Sequence, residues 1–206
     1  MSGAPSSSSL TSKSGSLIIV SLTQTPYTAT VTSVTDNLGQ TYVSAGARSY
    51  DSSGGYAVDI WYKSNSNTGV TSVTASYTGT YKDMEVTEVA GCRLVSPIDA
   101  TAVINSGAST SAPVSAGITT TAIGDFVYIK TVPTIYNTST VTSPYIVNED
   151  NYGAYKTLGV PVSGESAIFG LVSPSFSSTY CSSTVAFFAY PSQVPEGAFS
   201  NCADIE

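Results

Sequence analysis

Asp83, Glu85 and Glu88 lie within a few residues of one another. In an extended strand, side chains at i and i+2 point the same way, so Asp83 and Glu85 share a face. Two carboxylates held side by side are the machinery of glycoside hydrolysis. Nothing else in the sequence supports a hydrolase, and a solvated strand face is the expectation for this trio. Asp36 with Asn37, and Glu149 with Asp150 and Asn151, offer oxygens of the kind calcium takes. Neither group has the spacing of an EF-hand loop, and turn chemistry accounts for both. Tyr50, Tyr56 and Tyr152 have flat, amphipathic rings that stack on sugars, or that pack on sheet faces.

The chain contains no histidine. The commonest general base, transition-metal ligand and pH switch are therefore all missing. Serines are abundant, but without a histidine or a lysine partner none is a nucleophile candidate. No catalytic, cofactor-binding or metal site is expected, and the chain reads as a non-enzyme. Cys92, Cys181 and Cys202 allow at most one internal bridge. A Cys181–Cys202 pairing is expected, with Cys92 as the alternative partner. Asn137-Thr138-Ser139 is the one N-glycosylation sequon, which makes Asn137 a weak candidate.

These groups need a scaffold, and composition defines its class. The 206 residues suffice for one well-cored sandwich. Apolar residues make up 41% of the chain and charged residues 10%, so a core can form while the usual charged surface is replaced by Ser and Thr. Thr, Val, Tyr and Ile favour strands, whereas the helix-favouring Lys, Glu and Arg are scarce. Net charge is −7, and the few basic residues are scattered singly. A nucleic-acid footprint and attraction to an anionic membrane are excluded on that basis. No run approaches the length of a membrane span. Met1–Ser9 has neither a basic nor an apolar signal-peptide region, which points to a processed start or to synthesis without export.

Apolar runs and turn signals divide the chain into three parts: a Ser-rich segment 1–16, a β-sandwich over 17–190, and a tail over 191–206. Strands are expected at Leu17–Leu22, Thr28–Val34, Thr41–Ala47, Ala57–Tyr62, Ser72–Tyr77, Met84–Val89, Asp125–Lys130, Ser166–Val172 and Thr184–Tyr190. The turn Asp36-Asn37-Leu38-Gly39 predicts a hairpin between the second and third. Residues 131–150 read as a long excursion. Short strands with regular turn signals and no helical period give an all-β class, a single antiparallel sandwich or jelly roll.

The order of motifs resembles a Ser/Thr-rich β-sandwich module found in secreted and surface proteins of archaea and soil bacteria. Ser16-Leu17-Ile18-Ile19-Val20 is similar to its opening strand. Val31 to Tyr42 resembles its "V-x-S-V-x-D-x-x-G-N-x-Y" stretch, and Ile60-Trp61-Tyr62 its aromatic strand. Met84 to Gly91, the corner Pro97-Ile98-Asp99, and Thr119 to Asp125 follow in the module's order. The resemblance covers about 16–190 and implies a jelly-roll-like fold with no reaction. The module carries a further strand before its opening run, where this chain has only Ser-rich sequence.

A hydroxyl-rich surface and a missing edge strand point to a structural subunit of an exposed extracellular assembly, a cell-surface filament or matrix fibre. Its partner would be itself, through strand addition. A virion surface protein and a carbohydrate-binding adhesion module, with glycan contact, are the alternatives. A terminal segment, 2–16 or 191–206, is expected to order against a neighbouring subunit, with Val194 and Phe199 as apolar anchors of the C-terminal tail.

Overall fold

The computed structural model describes residues 10–105, 112–134, 138–147, 152–171, 178–190 and 203–204; for 81, 82, 138, 139, 203 and 204 it describes the backbone alone. The described residues are all-β, without helix. The first half supplies β1 (Leu17–Thr25), β2 (Val31–Asp36), β3 (Val43–Ser44), β4 (Ser49–Asp51), β5 (Tyr56–Lys63), β6 (Val73–Tyr77) and β7 (Thr80–Ala90). The second supplies β8 (Ile98–Ile104), β9 (Phe126–Pro133), β10 (Thr138–Val141), β11 (Ile146–Val147), β12 (Gly153–Thr157), β13 (Phe169–Leu171) and β14 (Tyr180–Phe187), and β15 (Ala203–Asp204) closes the series.

One sheet runs β15-β7-β1-β5-β3, with β4 also on β5; the other runs β11-β12-β9-β14-β8. All pairings are antiparallel. Each sheet draws its strands from one half of the chain, β15 excepted. The all-β, antiparallel class expected from the sequence holds.

The apolar runs are continuous because both faces of the central strands are covered. Leu17 and Ile19 of β1 pack with Ile60 against Phe126, Tyr128, Val185 and Phe187 of the opposing sheet. Ile18, Val20 and Leu22 point the other way, under a ribbon of β2 and β6 that contributes Val34, Val73 and Ala75. On the far side, Val127, Ile129 and Ala186 lie beneath Ile118, Tyr145 and Phe169, next to the β10–β13 ribbon. The result is four layers, each buried Leu, Ile or Phe side chain contributing about 1.5–3 kcal/mol.

Three expectations are corrected. The Asp36–Gly39 turn forms, but β2 pairs with β6 and β3 with β5, leaving one isolated bridge, Thr35 to Thr41, of the expected hairpin. Tyr42 buries its ring among Val34, Val70 and Val73, and the chain then departs to the edge of β5. Strands β8 and β12 were not anticipated, and β10 and β11 lie inside the expected excursion 131–150. Residues 12–16 belong to the body of the protein rather than to a separate Ser-rich segment ordered by a neighbour. Ser12, Gly15 and Ser16 exchange backbone hydrogen bonds with Ser66, Gly69 and Val70, and Lys13 N donates to Glu88 Oε1 at 2.7 Å. Met1–Ser9 lie outside the described residues.

Candidate functional site

The space between the two sheets changes character along its length. At the Leu17 end it is lined by Leu17, Ile19, Ile60, Val89, Phe126, Val185 and Phe187. Moving along the same strands, the inward positions become Ser21, Thr23, Lys130 and Ser183, all of them buried. The alternation that points Phe126 and Tyr128 inward points Lys130 inward as well.

Lys130 is fully buried, an expensive place for an ammonium unless it is paired. Its Nζ lies 2.8 Å from Asp83 Oδ2 and 3.4 Å from Glu85 Oε2. Tyr128, two residues earlier on β9, donates its hydroxyl proton to Glu85 Oε2 at 3.0 Å. That occupies the phenol proton, so the 2.9 Å bond between Tyr128 and Ser21 has the Ser21 hydroxyl as donor. Burial, then the charge on Glu85, push the Tyr128 phenol well above its usual range. The Tyr152 ring stands 5.8 Å from Lys130 Nζ.

Asp83 and Glu85 do share a face, as their spacing implies. The expected solvated face is wrong for them: Glu85 is largely buried and Asp83 about two-thirds buried, both against the opposing sheet. Glu88 points the other way and fastens the backbone of Lys13. What sequence alone missed is Lys130. Its signal was a lone lysine at an inward position of a strand otherwise apolar on both faces.

Beside this cluster the interior is built of hydroxyls. Ser49 and Ser183 share a hydrogen bond of 2.8 Å, and Thr134 Oγ1 donates to Asp51 Oδ2 at 2.9 Å. A Cβ at Gly54 would sit 2.7 Å from Asp51 Oδ2, so a larger residue there would push the Asp51 and Thr134 side chains aside.

A second acidic pair lies at the opposite end. Partial burial raises the Asp99 pKa, but hydrogen bonds from the Thr121 hydroxyl and amide, then from Asp125, and the Arg93 charge outweigh burial and lower it. Asp125 is fully buried. Neither of its oxygens accepts a bond of good geometry, although the amides of Ala122 and Ala189 lie close by. Burial, then the neighbouring Asp99, push Asp125 up to about 7. The corner Pro97–Asp99 and the stretch Thr119–Asp125, far apart in sequence, thus meet in one place.

Asp36 directs its oxygens into its own turn. Oδ1 accepts from the amides of Leu38 and Gln40, and Oδ2 from the Gln40 side chain and the Tyr42 hydroxyl. Asn37 Oδ1 accepts from Thr71 N and Ser72 N. Among the described residues no group of three metal-ligating side chains occurs. Glu149, Asp150 and Asn151 lie outside the described residues, as do Asn137, Val194, Phe199 and Cys202.

The three tyrosines do not form one platform. Tyr50 is exposed and stacks on Tyr27 with centroids 5.8 Å apart, Tyr56 packs at the edge of the Val58–Val132–Cys181 cluster, and Tyr152 stands near Lys130. The expected Cys181–Cys202 bridge is corrected, because Cys181 is a free thiol. It does not precede the last strand but sits inside β14, paired to Val132 and packed against Val58. Burial pushes its pKa up to about 12. Cys92 does not carry a free thiol.

No described helix is long and apolar enough to cross a membrane. No family model, no curated protein and no solved structure matches the chain.

Proposed function

We propose that the protein is a non-enzymatic structural subunit of an exposed extracellular assembly, a module of the Ser/Thr-rich sandwich class that joins copies of itself by strand addition. One observation carries this reading. Among the described residues, the outer edge of β7 is paired only at Val89 and Ala90, by the two residues of β15 near the C-terminus. Among the described residues, the remainder of this edge, from Thr80 to Glu88, has no strand beside it. Unpaired backbone donors and acceptors along an edge are a template for another chain. The C-terminal segment is the element with affinity for this edge, and it serves equally when it comes from a neighbour. Residues 12–16 hydrogen-bond to the chain's own body, which favours 191–206 as the donor.

Deletion of 191–206 tests the proposal. The truncated chain is expected to keep its β-type circular dichroism and to lose any polymer detected by light scattering or negative-stain imaging. A synthetic peptide of residues 191–206 is expected to bind the truncated chain. A truncated chain that assembles like the full one, or a full chain that stays monomeric at every concentration, overturns the reading. In the second case, binding on a glycan array would make the adhesion module the better account.

A further inference from the structure

We propose that Lys130 and Asp83 form an intramolecular amide bond, with Glu85 as the proton carrier, so that the protein staples its two sheets together covalently. The geometry is that of two reactants already in contact. Lys130 Nζ lies 2.8 Å from Asp83 Oδ2, across 47 residues of sequence and between strands of opposing sheets. Glu85, two residues from Asp83 on the same face, lies 3.4 Å from the same nitrogen and accepts a hydrogen bond from the Tyr128 hydroxyl. Lys130 is fully buried, and Tyr128 beside it is fully buried as well.

Amines and carboxylates do not condense in dilute water, because both are ionised and well solvated. Each obstacle is lowered here. Holding the partners together supplies an effective molarity on the order of 10⁵–10⁸ M when the orientation is productive. A poorly solvated interior disfavours the separated charges of an ion pair and favours a neutral product. A lysine in a dry pocket is the setting in which this side chain acts as a nucleophile.

The atoms balance without any other reagent. Glu85 takes one proton from the Lys130 ammonium, leaving a free amine. The amine nitrogen attacks Asp83 Cγ, and the new N–C bond forms as one C–O bond breaks. The departing oxygen collects two protons, the one carried by Glu85 and a second from the attacking nitrogen, and leaves as water. The amide keeps one proton on nitrogen, nothing is oxidised or reduced, and Glu85 ends as it began. Asp83 is the partly exposed member of the trio, which gives the water a way out.

Intact mass spectrometry of the full-length chain under denaturing, reducing conditions tests this. The expected mass is below that of the sequence by one water, with fragmentation of a branched peptide placing the link between Asp83 and Lys130. Lys130→Arg keeps the charge but cannot form the amide, and it is expected to restore the full mass. Glu85→Gln keeps both reactants and is expected to slow the conversion strongly, with circular dichroism confirming that each variant is folded. A wild-type chain that retains its full mass after prolonged incubation in the folded state overturns the proposal and leaves an ion pair. So does a water loss that persists in Lys130→Arg, because it would then arise within a single aspartyl residue.

Discussion

Two regions of one interior, bounded by the same strands, are built on different chemistry. At the Leu17 end, β1, β5, β9 and β14 face each other with Leu, Ile, Val and Phe. At the other end β1, β9 and β14 present Ser21, Thr23, Lys130 and Ser183, which are just as buried, beside the small Val58–Val132–Cys181 cluster. The apolar half gains from leaving water, in proportion to area and with little regard to direction. The polar half gains little net from each hydrogen bond and loses heavily if one is left unmade. The first region therefore supplies stability, and the second supplies a single allowed register and a place where reactive groups can meet.

The largest effect that separates them belongs to the apolar half. Phe187→Ala should cost about 3–5 kcal/mol in urea unfolding, because it combines lost transfer energy with a cavity between packed sheets. A cost below about 1 kcal/mol would mean the sheets are not packed there as described.

The hydroxyl half should behave in the opposite way. Ser49→Ala and Ser183→Ala should each cost about 1–3 kcal/mol, since each strands a buried partner. The double variant should cost less than the sum of the two, a signature that area burial does not produce. Additive losses in this double-mutant cycle would remove the distinction.

The acidic corner next to the apolar half should respond to pH. Asp125 is raised from 3.8 to about 7, so the folded state holds its proton over a range in which the unfolded chain has lost it. Stability from this group is complete below 3.8 and is lost as pH rises toward about 7, after which it levels off. Asp125→Asn should flatten that decline in melting temperature, and an unchanged profile would show that Asp125 titrates normally.

The smallest effect is an absence of reaction. Cys181 should resist alkylation in the folded protein, its thiol being buried and pushed up to about 12, and should react once the chain is unfolded. With Cys181 free, a non-reducing peptide map is expected to place any bridge between Cys92 and Cys202. A Cys181 crosslink would restore the pairing expected from sequence.

Sequence alone determined the class. Scarce charge, abundant Thr, Val and Tyr, and regular turns leave an all-β chain as the consistent outcome, because these preferences are local and cumulative. It also located β1, β5 and the core of β9 by their apolar runs, and β6 by its alternation of apolar and polar residues. It placed Asp83 and Glu85 on one face, since a strand has a period of two whatever surrounds it. Which face that was, only the tertiary structure decided. A carboxylate on an edge strand looks the same in sequence whether it meets water or a lysine from the opposing sheet. The same holds for the pairing of β2 with β6, for Cys181 inside β14, and for the meeting of Asp99 with Asp125. Each is a contact between segments far apart in the chain, selected by what the whole interior can bury and satisfy, and no local pattern encodes it.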